Sequence, residues 1–316
     1  MKLRRLDGRP LRRPGLKPSR FHNYLGGPPG AFAIRRRIRA IVTLGSIVVS
    51  MRPEVVMRRR DFLAALPLFA AGLTSPSAGR AAPVLRVGAA LPDPPFEFDD
   101  KDGPAGFDVG LMQRIAALIG REWRLVPYKG DDFNAIFAGL DDGSYDCIAS
   151  GTTITPGRSK IADFCPPYVV SGQSLVVDIG RHPNVHGVGD LKGLVIGVQQ
   201  GNTSQPVADK LVAEHRAARV RVYAYDQIEQ ALDDLSSGGC DAFMKLAPVT
   251  AWYVRDRPKL KVVETGITVE HLGICVRKGN AALRDEITKA QVALKADGTL
   301  AALIKQWLGA GATIPA

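Results

Sequence analysis

Short apolar runs alternate with segments of helical periodicity from residue 84 to the C-terminus. Residues 85–90 form an apolar run that predicts a strand, and residues 109–119 carry apolar positions at helical spacing and end at Gly120. Strands that alternate with helices of this length indicate α/β units with mostly parallel sheets. The same pattern predicts further strands at 123–128, 147–150, 195–198, 221–224 and 242–245, and helices at 133–140, 205–216, 228–236 and 283–308, the last interrupted at Asp297-Gly298.

The patterned part of the chain is long enough for one large domain or for two lobes. It has about 230 residues, and two lobes of about 110 residues each would both fall within the usual size of a domain. The pattern alone does not choose between these two arrangements.

Charge is unevenly distributed along the 316 residues, which have a net charge of +11. Residues 1–82 contain 17 Lys and Arg against 3 Asp and Glu, a net of +14. Residues 83–316 contain 25 Lys and Arg against 28 Asp and Glu, a net of −3. Because the patterned part has no large excess of basic residues, we expect no nucleic-acid partner.

The first 56 residues do not show the pattern of a folded domain. Residues 1–39 are rich in Arg, Pro and Gly, and the apolar stretch at 41–51 is shorter than the roughly 20 residues that span a bilayer. Residues 1–56 are interpreted either as a disordered basic extension or as the result of a start codon assigned too early.

Residues 57–82 have the layout of a secretory signal peptide. Met57 is followed by three arginines, an almost uncharged apolar run and a small polar stretch, with a suitable cleavage point after Ala81. The pair Arg59-Arg60, followed one residue later by Phe62-Leu63, resembles a bacterial twin-arginine signal. We therefore expect an exported, periplasmic protein.

The cysteines and histidines do not predict a metal site. There is no C-x-x-C motif and no tight Cys/His cluster, so we expect no metal and no cofactor. An exported protein can form disulfides, but buried free thiols are an equal alternative because each cysteine lies in or beside an apolar run. The four cysteines are Cys147, Cys165, Cys240 and Cys275.

Four sequence blocks carry a resemblance to a known family. They are Pro95-Phe96-Glu97 with Gly106-Phe107-Asp108-Val109; Ser150-Gly151-Thr152-Thr153-Ile154-Thr155-Pro156-Gly157-Arg158 with Asp163-Phe164 and Pro167-Tyr168; Gly197-Val198-Gln199-Gln200-Gly201-Asn202-Thr203; and Asp297-Gly298-Thr299 with Trp307-Leu308-Gly309. In this order and spacing, they resemble the family 3 extracellular solute-binding proteins, which serve polar amino acid ABC importers. The likeness runs from about residue 84 to residue 309.

The resemblance implies a two-lobe α/β fold, the type II periplasmic binding protein fold, with the lobes joined by two hinge strands. Lobe 1 would comprise residues 83–173 plus 271–316, and lobe 2 residues 174–270. A small carboxylate ligand, such as an amino acid or an analogue, would bind between the lobes, and their closure would bury it. The implied partner is the membrane permease of an ABC transporter, and the protein would be a monomer.

The resemblance also implies a binding site. Arg158 occupies the position of the family arginine that binds the ligand α-carboxylate, a role that suits the forked guanidinium. Gly201 and its neighbours precede a helix whose N-terminus can hold the same carboxylate. The expected ligand-binding residues are Asp93, Phe96, Ser150, Gly151, Thr152, Thr153, Arg158, Gly201, Asn202, Thr203, Lys245 and Leu246.

Two positions depart from the family pattern. Many members bind the ligand α-ammonium with an Asp at the position of Leu246, which cannot pair an ammonium, and the neighbouring Lys245 is cationic. Asp93, where an aromatic residue is common, either replaces this anchor or lies in an exposed loop. We therefore expect a ligand that has a carboxylate but is not an α-amino acid held in the usual way.

The alternative function is a periplasmic enzyme of the same fold, similar to cyclohexadienyl or prephenate dehydratases. Acid–base chemistry would need a carboxylate or a histidine in the cleft, and Asp93 and Glu270 are candidates only by position. No Gly-x-Ser-x-Gly, phosphate-loop or His-Glu-x-x-His motif is present. Binding rather than catalysis is therefore the expected activity.

Overall fold

The computed structural model describes residues 82–315, which contain two five-stranded sheets flanked by helices. The predicted extension at 1–56 and nearly all of the predicted signal peptide at 57–82 lie outside the described residues. The strands are β1 (Val84–Ala90), β2 (Phe98–Asp100), β3 (Gly103–Ala105), β4 (Glu122–Tyr128), β5 (Cys147–Ile148), β6 (Ala162–Phe164), β7 (Val169–Ser171), β8 (Gln173–Asp178), β9 (Val195–Gln199), β10 (Arg219–Tyr223), β11 (Ala242–Leu246), β12 (Leu260–Glu264), β13 (Glu270–Leu272) and β14 (Cys275–Arg277).

The two sheets have similar topologies. The first has the order β4-β1-β5-β14-β6, and the second has the order β10-β9-β11-β8-β12. In each sheet three neighbouring strands run parallel, and two further strands pair with them or with each other in antiparallel fashion. We call the body built on the first sheet lobe 1 and the body built on the second sheet lobe 2.

Helices connect the parallel strands and cover the sheets. The apolar faces of these helices bury large side chains such as Ile115, Leu232 and Ile287 against the strands. The helices are α1 (Phe107–Leu118), α2 (Ala138–Asp141), α3 (Pro156–Ile161), α4 (Ser204–Ala213), α5 (Ile228–Ser237), α6 (Ala247–Val254), α7 (Ala281–Ala296) and α8 (Thr299–Trp307). None of the helices within residues 82–315 has the length and apolar character needed to cross a bilayer.

The chain passes between the two sheets through a short antiparallel ribbon. Strand β7 pairs with β13, β7 leads into β8 of lobe 2, and β13 leads into β14 of lobe 1. The two chain segments that connect the lobes lie close together, since a Cβ added at Gly172 would lie 2.0 Å from the carbonyl oxygen of Thr268. This ribbon corresponds to the two expected hinge strands, whereas the residue limits of the lobes stay a prediction.

The predicted elements are present, with different ends. The break predicted at Asp297-Gly298 separates α7 from α8. The predicted helix 133–140 is a 3₁₀ turn, Phe133–Phe137, followed by the short α2. The strand predicted at 147–150 ends at Ile148, because the backbone turns at Ser150 and Gly151, where φ is 50°.

All four cysteines are buried and free. Burial raises the pKa of the Cys147, Cys240 and Cys275 thiols and raises that of Cys165 to about 11. A thiol held in the neutral form is a weak nucleophile. The cysteines therefore act as small core residues, which is one of the two alternatives given by the sequence.

Candidate functional site

A small cavity lies between the lobes at the carboxyl ends of their parallel strands. Ligands of open α/β sheets commonly bind at this edge. The volume of the cavity is about 20 Å³, room for about one water molecule. Its lining residues are Asp93, Phe133, Ser150, Gly151, Thr153, Arg158, Gln173, Asn202, Thr203, Ser204, Lys245 and Leu246.

Two buried carboxyl groups hold the lobe 1 wall of the cavity in place. The Ser150 hydroxyl donates a hydrogen bond to Glu97, and the Gly151 N–H donates to Asp108 Oδ2 at 2.6 Å. Burial raises the pKa of Asp108 to about 7, although the hydrogen bonds from Gly151 and Tyr168 favour its charged form. Burial and the neighbouring Asp108 raise the pKa of Glu97 well above its ordinary value.

Arg158 extends from α3 into the cavity. The Thr155 side chain caps this helix by accepting from the Arg158 N–H at 3.2 Å. The guanidinium donates to the carbonyls of Thr153 and Gly201, both at 3.0 Å, and to Asn134 Oδ1 at 3.2 Å. Arg158 is 7% exposed, and this burial lowers its pKa to about 10.

No carboxylate of the described residues lies within ion-pair distance of this buried guanidinium, although the charge of the nearby Glu270 favours its charged form. Arg158 takes part in none of the ion pairs found within residues 82–315. Its carbon Cζ instead lies 4.7 Å from the centre of the Phe133 ring, a cation–π contact. Because a buried charge is stabilised most by a directly contacting partner of opposite sign, this arrangement is suited to an anion.

The lobe 2 wall includes the N-terminus of α4. The segment Gly201-Asn202-Thr203 follows β9, and the helix begins at Ser204. The first N–H groups of a helix have no acceptor within the helix. The hydroxyl of Ser204 is fully buried, and it has no hydrogen-bond partner within the described part of the chain. These groups offer donors to an anion on the side of the cavity opposite lobe 1.

Glu270, at the start of β13, links both walls to the ribbon. Its Oε2 accepts from the Thr153 hydroxyl of lobe 1 at 2.5 Å and from the Thr203 hydroxyl of lobe 2 at 2.8 Å. Its Oε1 accepts from Gln173 at 2.7 Å and from Thr268 at 2.9 Å. With four donors, this carboxylate has its acceptor positions filled.

A buried ion pair crosses the cavity. Lys245 Nζ, from β11 of lobe 2, lies 2.8 Å from Asp93 Oδ1 of lobe 1, and both residues are less than 5% exposed. The ammonium also donates to Gln199 Oε1 at 2.7 Å and lies 5.0 Å from the centre of the Tyr225 ring. Asp93 is therefore not in an exposed loop, and its carboxylate faces the cavity.

The lobes are in contact on both flanks of the cavity. On one flank, Phe133 N donates to Gln200 O at 3.2 Å, and Tyr225 N donates to Asp131 O at 2.8 Å. On the other flank, the rings of Phe98 and Trp252 have centroids 5.0 Å apart. The cavity is smaller than an amino acid, so the lobes must separate to admit a ligand of that size and then close around it less tightly than they do in this structure.

Nine of the twelve expected site residues line the cavity, and three do not. The ring of Phe96 lies beneath Gly151 and packs edge-on against Phe107, so it supports the wall from the core. Thr152 is fully buried, and its hydroxyl donates to Ser150 O. Gly201 contributes its carbonyl to Arg158 from the rim.

Sequence reasoning missed Phe133, Gln173 and Ser204 as lining residues. Ser204 directly follows Gly201-Asn202-Thr203 at a helix start, a signal that could have included it. Gln173 begins a fully buried strand, where a polar residue is unusual. Nothing in the local sequence distinguishes Phe133 from a core aromatic residue. The described residues contain no group of three or more His, Cys, Asp or Glu that could hold a metal ion.

The fold and site define a two-lobe protein that binds a small ligand in a cleft. Residues 85–310 match the model of the bacterial extracellular solute-binding proteins, family 3, and the chain belongs to this family. It is 32% identical over 232 residues to the L-cystine-binding protein TcyJ of Escherichia coli K12, covering 72% of this chain and 84% of TcyJ. It is 31% identical over 234 residues to ABC transporter arginine-binding protein 1 of the same strain, covering 72% of this chain and 91% of the relative.

Solved structures confirm the type II two-lobe fold expected from the sequence. An ancestral arginine-binding protein bound to arginine is 35% identical, with a TM-score of 0.66 over 73% of this chain and 100% of that one. The ancestral amino acid-binding protein AncCDT-1, a precursor of cyclohexadienyl dehydratase, is 32% identical, with a TM-score of 0.64 over 71% and 95% of the two chains.

Proposed function

We propose that this protein is the solute-binding component of an ABC importer and captures an amino acid or a related small carboxylate between its lobes. The observation that carries the proposal is Arg158, a buried guanidinium that faces the cavity and has no ion-pair partner within residues 82–315. Its relatives support the class of ligand, since those named above bind cystine or arginine.

In the proposed mechanism, the ligand carboxylate replaces the Gly201 carbonyl and Asn134 as an acceptor of Arg158 hydrogen bonds, and it also accepts from the N-terminus of α4. Arg158 belongs to lobe 1 and α4 to lobe 2, so both sets of donors reach the carboxylate only when the lobes are closed. A ligand that makes more contacts in the closed form shifts the population towards that form. Closure then presents both lobe surfaces together to the membrane permease.

The proposed setting is the periplasm, where a monomer would deliver its ligand to the permease. Membership of an extracellular family and the basic, apolar segment at 57–82 support this setting. The net charge of −3 over residues 83–316 supports a protein without a nucleic-acid partner.

Binding without turnover is the proposed activity. Asp93 is the only carboxylate among the described residues that line the cavity, and it is paired with Lys245. Glu270 has its acceptor positions filled by four donors, so it is poorly suited to accept a proton from a ligand. The dehydratase alternative rests on the fold that this chain shares with AncCDT-1.

The test begins with mass spectrometry of small molecules that co-purify with the protein, followed by calorimetry with the identified ligand. We expect Arg158→Ala to weaken binding by about 2 kcal/mol or more, because a charged donor is lost from a buried site. Arg114→Ala is the matched control, since Arg114 is exposed on α1. Wild-type affinity in Arg158→Ala would contradict the proposal, as would consumption of the ligand by the purified protein.

A further inference from the structure

The cavity contains a second buried cation besides Arg158. Lys245 lies on the lobe 2 side and is 3% exposed, and its ammonium is held in place by Gln199 and Asp93. A buried cation is stable when a carboxylate pairs with it, and removal of that partner is costly. The pairing of charges in the cavity therefore constrains the ligand.

Carboxylates that can pair with a cation are scarce in the cavity. Among the lining residues within 82–315, Asp93 is the only one, and it is already paired with Lys245. Glu270 lies close by, but its two oxygens accept from Thr153, Thr203 and two further donors. A ligand ammonium can therefore be neutralised by Asp93 only if Lys245 is released from it.

Two kinds of ligand leave both Arg158 and Lys245 in direct contact with a carboxylate, in addition to the longer-range charge of Glu270 on Arg158. A carboxylate without an amino group pairs with Arg158 and leaves the ion pair of Asp93 and Lys245 intact. An acidic amino acid places one carboxylate on Arg158 and its ammonium on Asp93, and its second carboxylate pairs with the released Lys245. A neutral amino acid leaves one cation unpaired, and a cationic amino acid leaves two.

We propose, on the basis of the function proposed above, that the cleft selects ligands with one more carboxylate than amino groups. The class comprises acidic amino acids and amine-free monocarboxylates such as hydroxy acids and oxo acids. This selectivity differs from that of the relatives named for arginine. Lys245 is the residue that determines it.

The test is calorimetric titration of ligand-free protein with L-glutamate, L-aspartate, L-glutamine, L-arginine and L-lactate. We expect glutamate, aspartate or lactate to bind at least tenfold more tightly than glutamine and arginine. Glutamate and aspartate represent the acidic amino acids, and lactate represents the amine-free acids. Binding of arginine or glutamine as tight as that of the best acid would overturn the inference.

Variants of Lys245 test whether this residue determines the ligand preference. We expect Lys245→Met to reduce the preference for the best acid over glutamine at least tenfold, whereas Lys245→Arg keeps the order of ligands. Lys192→Met is the matched control, because Lys192 is exposed on lobe 2. An unchanged preference in Lys245→Met would contradict the role of this residue. If Lys245→Met does not fold, as judged by circular dichroism, the wild-type order and Lys245→Arg decide.

The proposed function and the inference fail in different ways. If Arg158→Ala binds the ligand identified by mass spectrometry with wild-type affinity, the proposed function is wrong. If ligands bind and Arg158→Ala weakens them, but neutral or cationic amino acids bind best, only the inference on Lys245 is wrong.

Discussion

At the scale of single residues, the cleft wall depends on carboxyl groups that the ligand would not touch. Glu97 and Asp108 are almost fully buried in lobe 1, and each has one oxygen with no hydrogen-bond partner within the described residues. The other oxygen holds Ser150 or Gly151 in position. A buried carboxyl with a free oxygen is suited to carry a proton there, and its pKa is raised accordingly.

This arrangement predicts a pH dependence of stability. The pKa of Asp108 is raised by burial from 3.8 to about 7, so the folded protein holds a proton that the unfolded chain releases. The resulting stabilisation is fully present below pH 3.8 and is lost as the pH rises to about 7. In Asp108→Asn this loss is absent. We therefore expect the free energy of unfolding of the variant, measured with urea, to rise relative to that of the wild type between pH 4 and pH 7.

A residue with the opposite shift provides the control. The hydrogen bond from Lys278 lowers the pKa of Asp163, so its stabilisation is present above the unfolded pKa and is lost as the pH falls. We therefore expect the free energy of unfolding of Asp163→Asn, relative to that of the wild type, to rise as the pH falls into the acidic range. A difference between Asp108→Asn and wild type that does not vary with pH would contradict the assignment of the proton to Asp108.

At the scale of elements, the N-terminus of α4 combines a structural cost with a proposed binding role. The buried hydroxyl of Ser204 has no hydrogen-bond partner among residues 82–315, which lowers stability unless a ligand accepts from it. We expect Ser204→Ala to raise the free energy of unfolding of the ligand-free protein by about 1 kcal/mol and to weaken ligand binding. Thermal unfolding and calorimetry measure the two effects.

The control for this helix is Ser237→Ala, because Ser237 is exposed in the last turn of α5. We expect it to change neither quantity by more than about 0.5 kcal/mol. If Ser204→Ala leaves both stability and affinity at wild-type values, the hydroxyl has no role in either.

Most of the elements predicted from the sequence are long enough to show a period, but β8 and β12 were missed although they are as long as several predicted strands. Helix α7 spans four turns, and its end at Asp297-Gly298 is marked by turn residues. Strands β6, β7, β13 and β14 have three residues each, too few for a periodic pattern, and α3 and α6 were missed as well. The ribbon between the lobes and the return of the chain to lobe 1 therefore followed from the family resemblance.

At the site, too, the sequence predicted individual residues but not the contacts between residues that are far apart in the chain. Arg158, Ser150 and Lys245 were identified from motif positions, and all three line the cavity. The ion pair of Asp93 with Lys245 joins residues 152 positions apart in the sequence, a contact that no local pattern encodes. The burial of Phe96 beneath Gly151 is likewise a tertiary result, so motif membership did not establish contact with the cavity.

At the scale of the whole molecule, closure depends on how closely the lobes can approach. Gly201 has a φ of 77°, and a Cβ there would lie 2.0 Å from Asp132 Oδ1 and 2.8 Å from Phe133 N of the opposite lobe. We expect Gly201→Ala to hold the lobes apart. Small-angle scattering with saturating ligand should give a larger radius of gyration than for the wild type, and affinity should fall at least tenfold.

Gly193→Ala separates this effect from backbone strain. Gly193 has a similar φ of 82°, but a Cβ there would meet no atom of the described residues within 4 Å. We expect this control to lose about 1 kcal/mol of stability and to close normally on ligand. If Gly201→Ala closes to the same radius as the wild type, the contact between the lobes at Gly201 does not limit closure.

The four free cysteines have a consequence for where the chain can fold. Because no bond between sulfur atoms holds the described residues together, the fold needs no oxidant to reach completion. It can form in a reducing cytoplasm as well as in an oxidising periplasm. The thiols are covered once the chain has folded, so a later change of redox environment leaves the structure intact. A chain with these properties can be folded on either side of the membrane that it is proposed to cross.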